Sequence, residues 1–221
     1  MKNLRIAFLV ALAADLGLIV WSFGRLGPLV PVHWNLRGEV DRLGSPGELR
    51  WFLFGTIVFL WLVGEGLRFV DPKVARTARD PELSEKDKQG ALAMVLGTIA
   101  GLLVVLHANL LSQAAGMVAP APRATALILA AFLVVLGNVL PRVRPNYFVG
   151  IRTPWTLSSD EVWRTTHRMG GRWMVGSGLL GALAAIVLPP SAVLPAVLIL
   201  AVLAAALSVG FSYLAWRRSG L

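Results

Sequence analysis

Six apolar stretches divide the chain, each long enough, or nearly so, to cross a bilayer as a helix, which takes about 20 residues. They fall at 4–25, 50–70, 89–112, 124–140, 172–188 and 192–216. A water-soluble core spreads its apolar residues at a period of 3.6 or 2 instead of in continuous runs. Only 15% of the 221 residues are charged while 56% are hydrophobic, against about 25% charged in an ordinary soluble domain. No ten-residue alternating segments of the kind a transmembrane barrel needs are visible. The expected fold is therefore all-α: one integral membrane domain, 1–221, a bundle of six transmembrane helices. The first run is too long for the apolar part of a secretory signal, about 7–15 residues, and reads as a retained span.

The formal net charge is +9. Its distribution points to membrane topology rather than to nucleic acid, since no nucleic-acid recognition motif accompanies it. With the N-terminus inside, sixteen Lys and Arg fall on inner segments, and five on outer ones: Arg25, Arg37, Arg42, Arg50 and Arg123. The bias places both termini in the cytoplasm. The chain has no cysteine, which removes disulfides, thiolate nucleophiles and cysteine metal ligands. The connector 71–88 is inner and highly charged, with a helix start at Ser84-Glu85.

The inner loop 141–172 is the most informative segment. It carries six arginines and the acidic pair Asp160-Glu161 between two apolar runs. Its first half reads Arg142-Val143-Arg144-Pro145-Asn146-Tyr147-Phe148-Val149-Gly150-Ile151-Arg152-Thr153-Pro154-Trp155-Thr156-Leu157. Two prolines and a glycine there exclude a continuous helix. Ser158 and Glu161 have capping-box spacing, so a helix is expected to start at this point. Trp163, Thr166, His167 and Gly170 fall on one side of it, and Arg164, Arg168 and Arg172 on another, an amphipathic cytoplasmic helix before the fifth span. A basic amphipathic anchor resting on lipid is the bland reading of such a helix; a docking surface for a protein partner is the sharper one.

The outer loop 26–49 contains His33, Asn35, Gly38 and Asp41, and His107 and Asn109 lie on the same side late in the third span. Together they form a candidate outer polar cluster. The ligand set is incomplete and lacks metal-site spacing, so no metal or other cofactor is expected. Satisfied polar groups tying the loop to the helices are the simpler expectation. Asp15 and Glu65 lie within spans, where ionisable groups are costly and functional by default. Glu65 has Arg68 one turn on as an expected partner, and Asp15 is expected to be neutral or hydrogen-bonded. Gly97 and Gly101 in span three, and Ser177 and Gly181 in span five, have small-residue spacing and read as internal packing faces.

Gly137-Asn138, the run from Asn146 to Leu157, Trp163 and His167 together resemble the signature of SdpI-type membrane proteins, immunity proteins against sporulation-delaying peptide toxins. Pro31, His33-Trp34-Asn35, Gly38 and Asp41 resemble the short N-terminal domain that often precedes it. The resemblance implies a non-enzymatic, six-span protein of the bacterial plasma membrane that protects its host from a secreted antimicrobial peptide. It also implies recruitment of a small helix-turn-helix repressor. The inner residues Asn138, Asn146, Phe148, Gly150, Arg152, Thr153, Pro154, Trp155, Trp163 and His167 would then form the partner-binding surface, and the outer loop would meet the peptide. Two other classes compete: a transporter or flippase for a toxic peptide or lipid, dependent on Asp15 or Glu65, and an intramembrane hydrolase using His33, His107 and Asp41.

Overall fold

The computed structural model describes residues 2–75, 85–118, 122–146 and 149–220, with side chains throughout these ranges except at 2–5, 67–75 and 85–92. Helix dominates: α1 (Lys2–Trp21), α2 (Pro46–Ala75), α3 (Glu85–Ala114), α4 (Pro122–Val139), the short α5 (Pro154–Ser158), α6 (Asp160–Val187) and α7 (Pro190–Arg218). Five described stretches are long and apolar enough to cross a membrane: Pro46–Gly66, Ala93–Ala114, Pro122–Arg142, Asp160–Val187 and Pro190–Arg218. The described apolar part of α1, Ile6–Trp21, is shorter than these. Large apolar side chains such as Val20, Phe59, Ile186 and Val202 point outward, as the lipid-facing side of such helices requires.

Two features depart from the all-α expectation. The outer loop folds into an antiparallel hairpin, β1 (Val30–Trp34) against β2 (Val40–Gly44), with a register irregularity at His33. The turn is fixed by Asn35, whose Oδ1 accepts from the backbone N–H of Arg37 (2.8 Å) and Glu39 (3.1 Å), an Asx arrangement that closes a tight loop locally. Gly38, at φ 76°, lies directly on Pro122 at the start of α4, where any Cβ would collide with the proline. The second departure concerns the helix before the fifth span. It is not a separate amphipathic helix but the opening turns of α6, which runs unbroken from Asp160 to Val187. Its N-cap is Ser159, in extended conformation, accepting from Val162 N at 3.4 Å, whereas Ser158 ends α5. The capping box lies upstream: Thr153 and Thr156 exchange side-chain and backbone bonds, with Pro154 at the first helical position, where its missing N–H costs nothing.

The core has two main parts. Phe8, Leu12, Leu53, Ile57, Leu60, Leu96 and Leu111 join α1, α2 and α3 under the hairpin's Val30. Ala126, Leu133, Ala185, Val193 and Val197 join α4, α6 and α7. A third cluster, Val95, Val139, Val143 and Trp163, links α3 to α4 and the loop after it. Within the second part, α4 and α6 meet through glycine: a Cβ on Gly137 would stand 2.6 Å from Gly171 O, and one on Gly178 2.6 Å from Ala130 O. Such close backbone approach is how helices gain contact area in lipid, where no hydrophobic force drives them together. Ser177 and Gly181 are buried, Gly181 against Val197 and Ala130, as the small-residue reading of span five requires. In span three that reading fails. Gly97 and Gly101 have nothing within 4 Å of a built Cβ, and they face an apolar groove of about 510 Å³ between α3 and α4.

Candidate functional site

The segment after α4 is built around two buried aromatic rings. Trp163 and His167, one turn apart on α6, stack at 4.0 Å and 17° with both side chains fully buried. Trp163 Nε1–H donates to Val143 O (2.8 Å) and so fixes where the chain leaves the 3-10 turn Leu140–Arg142. His167 Nε2 accepts from Ile151 N–H (3.0 Å). Nε2 is therefore unprotonated, and the ring proton sits on Nδ1, which donates to Trp163 O (2.9 Å); one hydrogen bond sets the tautomer that makes the other. Gly150, at φ 120°, passes over these rings, where a Cβ would strike His167 Nε2 and the Trp163 indole. Only glycine has both this backbone conformation and this clearance.

Asn146 organises the approach. Its Nδ2 donates to Arg144 O (2.8 Å) and Val149 O (3.0 Å), and its Oδ1 accepts from Val149 N–H (2.7 Å). Thr153 is buried and its Oγ1 lies 3.2 Å from Ser212 Oγ on α7. Trp155 is half-buried, edge-on to Tyr213 (5.2 Å) and tilted against Trp216 (6.5 Å). The sequence-derived inner set thus separates by role. Asn146, Gly150, Thr153, Trp163 and His167 hold the segment in shape, whereas Arg152 and Pro154 are exposed with part of Trp155 beside them. Asn138 is exposed on α4, its Nδ2 donating to Val134 O (2.8 Å). Phe148, like Tyr147 and Ser84, lies outside the described residues.

The six outer residues do not form one cluster. His33 and Asp41 pair on the hairpin surface (Nδ1–Oδ1 2.6 Å) with side chains 61% and 41% exposed, so solvent screening leaves this ion pair little weight. His33, Asn35 and Gly38 line a cleft of about 330 Å³ between the hairpin and the ends of α2, α3 and α4, with Trp34, Phe52, Gln113 and Thr125. Asn109 reaches the same wall by donating to Thr125 Oγ1 (3.1 Å). The Trp34 indole N–H is buried without a partner among the described residues.

His107 turns instead to Asp15. Its Nδ1 donates to Asp15 Oδ1 (2.9 Å), both side chains being almost fully buried, and its Nε2 lies 3.3 Å from Thr56 Oγ1. This joins α1, α2 and α3. The Thr56 hydroxyl also reaches Leu53 O (2.7 Å), and its single proton serves either that carbonyl or His107. Asp15 Oδ2 is buried with no partner among the described residues. Sequence reading placed the two residues in separate groups, because a separation of 92 positions hides their meeting. The carboxylate needing a partner was visible; the partner was not. The hydrolase grouping of His33, His107 and Asp41 is dispersed by the same geometry. Glu65 is half-buried on α2, and its expected partner Arg68 has no described side chain. Among the described residues no three His, Asp or Glu side chains converge as a metal site would need.

One residue escaped sequence reading altogether. Arg123 donates through Nη1 to Ala185 O (2.8 Å) and through Nη2 to Leu188 O (3.0 Å), satisfying the free carbonyls at the end of α6. A lone arginine at the start of an apolar run was the signal, and it read only as a topology marker.

Comparison with known proteins agrees with the position of the folded inner segment. Residues 142–213 match the SdpI/YfhL protein family. The chain is 22% identical over 179 residues to the immunity protein SdpI of Bacillus subtilis (strain 168), covering 81% of this chain and 79% of that protein. No solved structure matches.

Proposed function

We propose, from the match of residues 142–213 to the SdpI/YfhL protein family, that this multi-pass membrane protein confers immunity to a secreted antimicrobial peptide. The observation that carries the reading is the similarity to an immunity protein across 81% of the chain. The test is expression in a peptide-sensitive host. The inhibitory concentration is expected to rise several-fold; an unchanged value in cells that hold the protein in the membrane refutes the reading.

Within this reading α1 is a sixth crossing, both termini are cytoplasmic, and the inner segment meets a soluble partner, a small helix-turn-helix repressor. Arg152, Pro154 and Trp155 are the surface offered, on a support of Gly150, Trp163 and His167. The peptide is met at the outer cleft beside His33 and Trp34. A bound peptide shifts partner affinity only by favouring one of two helix arrangements over the other. Arg152→Ala and Trp155→Ala chains are expected to reach the membrane but to lose co-purification of the partner; normal recruitment by both removes the docking assignment. A cysteine at position 152 should react with an impermeant reagent only in opened cells. Labelling in intact cells would invert the topology.

A second reading is favoured by one observation, the buried Asp15–His107 pair in the apolar part of the molecule. Ionisable groups at membrane depth commonly mark proton or substrate pathways, and a peptide or lipid exporter would use them. Protection that disappears with an uncoupler and in Asp15→Asn supports export; protection indifferent to both excludes it.

A further inference from the structure

The shallow cleft between α4 and α6, at the end of the molecule that bears the inner segment, has a volume of about 470 Å³. It has two chemically distinct ends. Arg168 and Arg172, one turn apart on α6, line its mouth with Asn138 of α4. Neither guanidinium has a hydrogen bond or ion pair to any described residue, so among the described residues the two positive charges stand without a counter-charge. Asn138 is tied to Val134 O through Nδ2, and its Oδ1 is left as an acceptor. The cleft continues down α6 past Val175 and Gly176 to Leu179, all apolar. From Arg168 to Leu179 is about 16 Å at 1.5 Å per residue, the depth of a lipid headgroup and the upper part of its chain in a bilayer whose apolar core is about 30 Å.

We propose that this cleft seats one anionic phospholipid with a hydroxyl-bearing headgroup, of the phosphatidylglycerol type. Arg168 and Arg172 hold the phosphate, which arginine pairs do with directional, charge-assisted hydrogen bonds. Asn138 Oδ1 accepts from a headgroup hydroxyl. Gly176 leaves the space along which an acyl chain lies, since a Cβ there meets nothing within 4 Å. Free phosphate has the same charge but nothing to fill the apolar half. The arrangement differs from a general basic surface because the charges stand over a shaped, apolar-floored recess rather than on an open helix face.

The experiment is native mass spectrometry of the full chain in detergent, titrated with phosphatidylglycerol or phosphatidylcholine. Phosphatidylglycerol should be retained about tenfold better, as expected for two basic side chains at a headgroup. Arg168→Gln with Arg172→Gln should abolish the preference, and Arg217→Gln with Arg218→Gln, which removes equal charge from the end of α7, should preserve it. Gly176→Leu should weaken retention several-fold with every charge in place; it decides the matter alone if the double arginine variant does not fold. Equal retention of the two lipids, equal loss in both arginine pairs, or full retention in Gly176→Leu overturns the proposal. Displacement of the lipid by millimolar glycerol phosphate overturns it too, assigning the arginines to a free phosphate compound.

Discussion

The two halves of the bundle solve the same problem, holding apolar helices together in an apolar medium, by opposite means. In α1–α3 the helices are tied by a buried polar chain, Asp15 to His107 to Thr56, and the glycines at 17, 55, 97 and 101 face open space. In α4 and α6 the tie is steric: Gly137, Gly171 and Gly178 bring backbones into direct contact. A polar tie fixes which groups meet and leaves room for a second arrangement, because its proton can move. A glycine seam has one distance at which it closes. The difference teaches where each kind of change is tolerated.

The largest effect should come from Asp15→Leu. It strands His107 in the interior, and losing one partner of a buried pair costs about 3–5 kcal/mol; thermal unfolding in detergent measures it. The double variant Asp15→Leu, His107→Leu should recover most of that loss, and a purely additive double would show that the tie is not what joins α1 to α3. Next, Gly171→Val drives a side chain into Gly137 O and Pro141, for which overpacking costs of about 1–3 kcal/mol or more are typical. The same substitution at the open Gly97 should be nearly silent. Gly150→Ala should cost about 1–3 kcal/mol for backbone strain alone, and it should release the Ile151–His167 bond, seen as faster amide exchange at Ile151. Smallest, Gly97→Ala with Gly101→Ala should leave stability unchanged or raise it by about 1 kcal/mol per site through helix propensity. A marked loss there would mean the groove is closed by contacts and would erase the contrast between the halves.

Hydropathy made the long helices legible, because length and apolarity alone decide whether a segment can cross. Their ends were less so. α6 starts twelve residues before the expected span at 172, because Arg164, Arg168 and Arg172 lower hydropathy without interrupting the helix. The hairpin escaped because Pro31 weakens a five-residue strand pattern, and only Asn35 and Gly38 marked its turn. The Thr153-Pro154 start of α5 was legible as a cap followed by proline, yet Ser158 and Glu161 drew the assignment by spacing alone. The inner motif singled out Thr153, Trp163 and His167 but could not tell that they face inward. That requires knowing which side of α6 meets the loop and α7. The Gly97 and Gly101 spacing likewise identified a flat surface and could not say what lies against it.

Arg123 fastens the start of α4 to the end of α6, and the Gly137–Gly171 contact fastens the other end of the same pair. The two fastenings are about 21 Å apart along α4 at 1.5 Å per residue. A beam clamped twice over most of its length tilts as one piece instead of flexing. A displacement at the hairpin, whose turn rests on Pro122, would therefore be shared by α4 and α6 rather than absorbed by either helix alone.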